Sequence, residues 1–294
     1  MAGVVGEITP AKASAFVPEV WSKFVEAPRR KAQVLAATVD SRYESEMTSG
    51  DILHIRQYPN SAAKAKADNT IVVPDANQTD QQDVTVATYE YVALNIQSLT
   101  TVQSDIDYMR TFSETIAYGL NASVETALAA LPDDLAANTV GTFGVELTMD
   151  DWESIWQKLQ VALAPADNRF AWLSSAAISA IRKLETPIST DFTKSNVAAL
   201  DNATIGKFMG FNIVESQYLE APAAGQHDCF AGHRDQFGLI RQKRVTVEHT
   251  RSVENLADLV VGWHVYTTFE KEIVAEAAGA VAVDDGFGVW VKTV

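Results

Sequence analysis

The stretch SDIDYMRTFSETIAYGLNASVETALAAL, residues 104–131, decides the fold. Ile106, Met109, Phe112, Ile116, Leu120, Val124, Leu128 and Leu131 recur at steps of three and four, the spacing of one helix face. Ser104 followed three residues later by Asp107 resembles a capping box, and Pro132 ends the pattern. At ~1.5 Å per residue such a helix is a rod of about 40 Å, far beyond the mean helix of about 11 or 12 residues. Gly119 and the many alanines allow close packing along one side. A rod of this kind either threads a core or organises a flat, extended subunit.

Toward the N-terminus the pattern changes period. In DVTVATYEYVALNIQ, residues 83–97, Val84, Val86, Thr88, Glu90, Val92, Leu94 and Ile96 share one parity, which predicts a long strand with one apolar face. DILHIRQY at 51–58 and TIVVP at 70–74 are β-prone, separated by the small, polar PNSAAKAKADN at 59–69. That insert buries little apolar area, so it projects into solvent or onto a partner, carrying Lys64 and Lys66. Residues 50–97 therefore read as an extended β arm. Before it, Phe16, Val20, Trp21, Phe24 and Val25 suggest a short amphipathic helix, interrupted at Pro28 and followed by Arg29, Arg30 and Lys31.

Beyond the rod, Thr148 and Asp151 form a second capping box before a stripe of Trp152, Ile155, Trp156, Leu159 and Leu163 that stops at Pro165. The apolar run FAWLSS leads into a third helix with Ile178, Ile181 and Leu184, closed by Pro187. IGKFMGFNIVES at 205–216 reads as a strand punctuated by Gly206 and Gly210. Further strands are expected at 228–231, 237–240, 244–249, 259–266 and 288–292. Helices and strands interleave without regular βαβ alternation, which predicts α+β.

The 294 residues, 47% hydrophobic and 21% charged, describe a globular chain with room for a substantial core. A net charge of −15 repels phosphate backbones, so general nucleic-acid binding is excluded. Residues 101–160 are the most acidic part, with ten Asp and Glu against Arg110 and Lys158 alone. The one cysteine, Cys229, forms no internal disulfide, and the N-terminal residues lack the features of an export signal or membrane span, so a cytosolic chain is expected.

Chemistry is sparse. The phosphate loops GxxxxGK[ST] and GxGxxG and the nucleophile elbow GxSxG do not occur, and GFG at 286–288 reads as a turn. His227, Asp228, Cys229 and His233 form a zinc-competent set, yet their spacing fits no structural zinc pattern, and ordinary strand and turn residues are the stronger reading. The acidic pairs Asp133–Asp134, Asp150–Asp151 and Asp284–Asp285 read as caps. The basic group Arg234, Arg241, Lys243, Arg244 and Arg251 reads as a solvated strand face or a contact for an acidic neighbouring subunit. No catalytic, cofactor or metal site is expected.

Five segments in order resemble the major capsid proteins of tailed bacteriophages, with the Hong Kong 97-type fold also found in encapsulins. Phe16-Val17-Pro18-Glu19-Val20-Trp21 is similar to the F-x-P-E-x-W opening of phage coat N-arms. The β arm at 50–97 resembles the extended loop of these coats, and the rod at 104–131 their spine helix. Arg169-Phe170-Ala171-Trp172-Leu173-Ser174 resembles the R-x-x-V-L-S-P lead into the axial domain, without the proline. Residues 205–213 with Ser216 are similar to the domain's G-x-x-x-G-F-x-V-x-x-S segment. One departure is that Tyr266 is followed by Thr267 where related coats often have glycine.

The resemblance implies an α+β Hong Kong 97-type capsid fold in five parts: an N-terminal arm at 1–49, an extended β loop at 50–97, a peripheral domain at 98–164 with the spine helix, an axial domain at 165–250, and return strands at 251–294. It implies a non-enzymatic coat protein that self-assembles as pentamers and hexamers into an icosahedral head enclosing double-stranded DNA, without cofactors, membrane or sequence-specific DNA contact. Expected partners are copies of itself, a separate scaffolding protein, a portal and a decoration protein, in a virion assembled in the host cytoplasm. The expected inter-subunit contacts are Arg29 and Arg30 on the arm and Lys64 and Lys66 on the loop, against acidic neighbouring surfaces such as the spine. Lys64, Lys66, Asn60 and Asn69 are formally able to form isopeptide cross-links, but none are expected. An encapsulin-like shell loaded with protein cargo is the nearest alternative; a soluble α+β enzyme with an acidic cleft and a phage tail or decoration protein are the others.

Overall fold

In the computed structural model the described residues are 28–57, 63–74, 80–97, 108–184, 206–219, 226–253, 256–274, 283–284 and 286–293. The Phe16–Trp21 motif, the Ser104–Asp107 box, Ile106, Asn60 and Pro187 lie outside them.

The long helix α1, Tyr108–Ala130, forms on the predicted stripe: Ile116, Leu120, Val124 and Leu128 are buried along one face. It packs on an antiparallel three-stranded sheet ordered β3 (Thr88–Gln97), β10 (Ala257–Glu270), β9 (Phe237–Ser252). Ile96, Ile116, Leu120 and Val260 close the layer between them. Helix and sheet meet at Gly262, where a Cβ would stand 2.2 Å from Ile116 Cγ2, so glycine is what lets the helix lie this close.

The strand expected at 83–97 is two strands. β2, Asp80–Thr85, pairs with β1, Ile52–Gln57, as a separate hairpin, and after Val86 and Ala87 the chain enters β3 and pairs with β10 instead. Both strands keep the period-2 pattern, so the alternation did not reveal that the partner changes. TIVVP at 70–74 is outside any strand, with Ile71, Val72 and Val73 exposed. Conversely, the two strands expected at 237–240 and 244–249 are one strand of 16 residues. Of the polar residues between them, Arg241 pairs with Tyr266 and Lys243 with Val265 of β10, and Gln242 is taken up by the register shift between those pairs.

After β10, β11 (Ile273–Val274) and β12 (Val283–Asp284) pair as a short antiparallel ladder. A six-stranded sheet runs β4 (Thr139–Gly141), β13 (Gly288–Thr293), β8 (His227–His233), β5 (Arg169–Leu173), β7 (Phe211–Glu215), β6 (Lys207–Phe208), with β4/β13 and β5/β7 parallel. IGKFMGFNIVES is thus a hairpin, turned at Met209 and Gly210 with φ of 46° and 88°. Positive φ at both central turn positions matches the twist of the flanking strands. The centre of the sheet is covered on both faces, and there β5, β8 and β13 carry buried apolar residues of both parities. On one face Ala171, Leu173, Cys229, Val289 and Val291 meet α2 (Met149–Val161) and α3 (Ser175–Lys183) through Trp152, Ile155, Leu159, Ile178 and Ile181. On the other, Trp172, Phe230 and Trp290 meet Phe237, Leu35, Val124 and Leu128, which ties this sheet to α1 and the arm.

The Thr148–Asp151 capping box forms in full, and Ser174 caps α3 by accepting from the Ala177 N–H. Trp156 and Leu163, expected on the buried stripe of α2, are exposed. Only one side of α2 meets the sheet, and Leu163 lies past its end at φ 59°. The packing groups α2 and β13 with β5, β8 and α3, across the divisions read from the sequence at 165 and 251.

Candidate inter-subunit surfaces

Of the contact residues expected from the sequence, Arg29, Lys64 and Lys66 are exposed. Arg30 lies on its own subunit, its guanidinium 4.9 Å above the Tyr118 ring of α1. Next to it the Lys31 N–H donates to Tyr118 Oη at 2.8 Å and Lys31 Nζ donates to the Gln217 carbonyl at 2.9 Å. Tyr218, under the Lys31 ammonium, has its phenol pushed up to about 12, by burial first and then by the Tyr118 hydroxyl. Arg30 and Lys31 therefore sit at the arm root on α1, with Arg29 exposed just before them, whereas Lys64 and Lys66 lie on the segment between β1 and β2.

What fixes the arm root is Glu125, a residue the sequence reading did not single out. Its carboxylate, 2% exposed, accepts the N–H groups of Val34, Leu35 and Ala36 at 3.1, 2.8 and 3.1 Å. Three consecutive amides around one carboxylate form an anion cradle, here built by a short turn of the arm. Leu35 is fully buried beside Val124 and Leu128, and Trp172 Nε1 donates to Thr38 Oγ1 at 2.8 Å. The available signal was that Glu125 is the only charged residue from 115 to 130.

A second buried acid, Asp40, joins the arm to the three-stranded sheet. Its N–H donates to the Phe237 carbonyl at 3.0 Å, its carbonyl accepts from the Leu239 N–H at 2.9 Å, and its carboxylate meets Arg42 and, at 3.0 Å, Lys271. Burial alone raises the Asp40 carboxyl pKa, but the Arg42 amide and guanidinium together with Lys271 outweigh it and hold it below the ordinary value. Between α1 and the sheet, Glu90 accepts from Ser123 Oγ and meets His264 Nε2 at 3.1 Å, while Ser123 and Tyr266 share a hydrogen bond of 2.9 Å. Here too burial, the largest influence, raises the Tyr266 phenol.

His227, Cys229 and His233 share one parity of β8, but they are spread along its seven residues and do not gather. Cys229 is fully buried, its thiol pushed up to about 11, by burial foremost. The His233 ring accepts from the Asp235 N–H at 3.1 Å and packs edge-on against Phe287. Among the described residues no three His, Cys, Asp or Glu side chains gather as a metal site, and no helix is long and apolar enough to cross a membrane.

No protein-family model matches the chain, and no curated protein matches it. Solved structures do. One from Mycobacterium phage Che8 superposes with a TM-score of 0.75 at 22% identity, covering 94% of this chain and 97% of that one. The capsid of the cyanophage P-SCSP1u gives 0.73 at 14% identity over 98% and 96%, and the capsid of a native GTA particle 0.70 at 10% over 99% and 99%. The chain has the α+β fold of phage capsid structures, as its sequence predicted, with the long helix and nearly every other element included in the match.

Proposed function

We propose that the chain is the major capsid protein of a tailed phage, a non-enzymatic coat subunit that self-assembles as pentamers and hexamers into an icosahedral head around double-stranded DNA. The observation that carries this reading is the reciprocal match to phage capsid structures over almost the whole of both chains. In this reading α1 with β3, β9 and β10 is the peripheral domain, the six-stranded sheet with α2 and α3 the axial domain, and the segment from β1 to β2 the extended loop. The arm carrying Arg29 and Arg30 and the loop carrying Lys64 and Lys66 contact neighbouring copies. A separate scaffolding protein, a portal and a decoration protein complete the virion, which is assembled in the host cytoplasm.

A net charge of −15 suits a wall that encloses DNA without gripping it, because every phosphate contact would slow packaging. Electron microscopy of the recombinant protein, alone and with host lysate, tests the reading. Rings, sheets or closed shells are expected; monomers under every condition refute it.

A further inference from the structure

The arm and strand β9 enclose a surface groove of about 420 Å³ lined by Ser41, Arg42, Glu44, Arg241, Gln242 and Arg244. Three guanidiniums line it beside the single carboxylate of Glu44. Two of the three are already matched: Arg42 by Asp40 and, at 3.0 Å, Asp235, and Arg244 by Glu44 at 3.1 Å. Gln242 donates to the Gly50 carbonyl at 2.7 Å, which fixes the groove beside the start of β1. Arg241 is half-buried, and among the described residues its guanidinium has no hydrogen bond or ion pair. A partly desolvated cation without a partner is a cost that an incoming planar anion removes, and a guanidinium fork fits a carboxylate in two-point geometry.

We propose that this groove receives a carboxylate-bearing segment of a second copy of the chain, with the Arg241 guanidinium donating to the incoming carboxylate; this rests on the shell reading above. Subunits of net −15 repel one another unless their contacts set basic groups against acidic ones, and β9, at the edge of its sheet, presents Arg241, Lys243 and Arg244 for that purpose. Glu44 in the groove and the overall negative field disfavour a polyphosphate there. The matching acceptor is the turn after α1, where Asp133 and Asp134 are, among the described residues, the one adjacent pair of acids both exposed and without a partner. Asp150 and Glu153 are exposed as well, but they stand in the opening turns of α2, where the helix dipole already favours them.

The test is a charge swap read by electron microscopy and sedimentation at low salt. Arg241→Glu is expected to lower shell yield about tenfold and Arg241→Gln less, both with unchanged thermal unfolding of the subunit. Adding Asp133→Lys and Asp134→Lys to the Arg241→Glu chain is expected to restore assembly, since each groove then meets a basic turn. Wild-type yield for Arg241→Glu, or no rescue in the combined chain, overturns the proposal. So does a variant that assembles normally but retains less DNA, which assigns the groove to nucleic acid. If the wild-type chain itself never associates, the shell reading fails and this contact fails with it; if it associates and the variants do too, only the groove assignment fails.

Discussion

Replacing Glu125 by alanine removes the one acceptor shared by the Val34, Leu35 and Ala36 amides. Hydrogen bonds to a charged group contribute about 1.5 to 3 kcal/mol each, yet the three do not simply add, because the wild type already bears the cost of burying the carboxylate. In the variant the Leu35 N–H stays buried and unsatisfied, at about 1 to 3 kcal/mol, while the half-buried Val34 and Ala36 amides recover part of their loss from water. The net expectation is a loss of about 2 to 4 kcal/mol, a large share of the ~5 to 15 kcal/mol that holds a typical domain folded. Glu125→Gln separates charge from shape. Oε2 accepts from Val34 and Leu35 and Oε1 from Ala36, so a carboxamide keeps the first two bonds and turns an N–H₂ against the Ala36 N–H. Its loss is expected to be about half that of alanine. Urea unfolding of the unassembled subunit measures both, and limited trypsin digestion at Lys31 reports whether the arm root has come away. A loss under about 1 kcal/mol for Glu125→Ala, with Lys31 no more readily cut, refutes the view that this carboxylate anchors the arm.

Asp40→Asn is expected to destabilise the subunit at neutral pH, and the difference from wild type to vanish under acid. The folded carboxyl titrates below its ordinary 3.8, so its contribution is complete above that value and is lost as pH falls through the lower folded value; unfolding curves from pH 7 to 2 check it. Gly262→Ala places a methyl 2.2 Å from Ile116 Cγ2 and 3.2 Å from Leu120 Cδ1, so α1 must shift off the sheet at a cost of about 1 to 3 kcal/mol. Adding Ile116→Ala, which removes the struck atom, is expected to cost less than the two single losses summed, read by a double-mutant cycle. Cys229, buried with its thiol raised to about 11, is expected to resist a thiol reagent in the native subunit at pH 8 and to react at once in urea; rapid native labelling contradicts the packing described.

The long helix was legible because its stripe repeats over six turns, and no competing period explains Ile116, Leu120, Val124 and Leu128 together. The Thr148–Asp151 capping box and the apolar run before Ser174 were legible for the same reason: each is a local rule satisfied by a few adjacent residues. Pairing is not local. Val84 and Val92 follow one alternation, but Val84 is opposite Leu53 and Val92 opposite Gly262, a choice made by residues far away in the chain. Glu125 escaped for a related reason, since its partners are backbone amides, which carry no residue identity. The contact residues read from the sequence were chosen by charge alone. That criterion finds exposed lysines such as Lys66 but cannot tell that Arg30 is held on Tyr118 of its own subunit.

The distribution of satisfied and unsatisfied charge separates folding from assembly. The buried acids Glu125 and Asp40 find partners within the chain, and both join the arm to the body, so these two buried charges are satisfied without a neighbour. Groups left over at the surface include Arg241, Asp133 and Asp134, without partners among the described residues, and Ile71, Val72, Val73, Tyr89 and Tyr91, with most of their side chains in water. Exposed apolar area of this kind has a favourable transfer free energy still to be realised, at ~25 cal/mol per Å² when covered, and like-charged subunits need opposed charges at the places where they touch. Substitutions at Glu125 or Asp40 should therefore lower subunit stability whatever the assembly state. Substitutions at Arg241 should change association and its salt dependence while leaving the unfolding of the single subunit where it was. A chain in which the two sets of effects could not be told apart would show that the subunit folds only as it assembles, and the intact network around Glu125 argues against that.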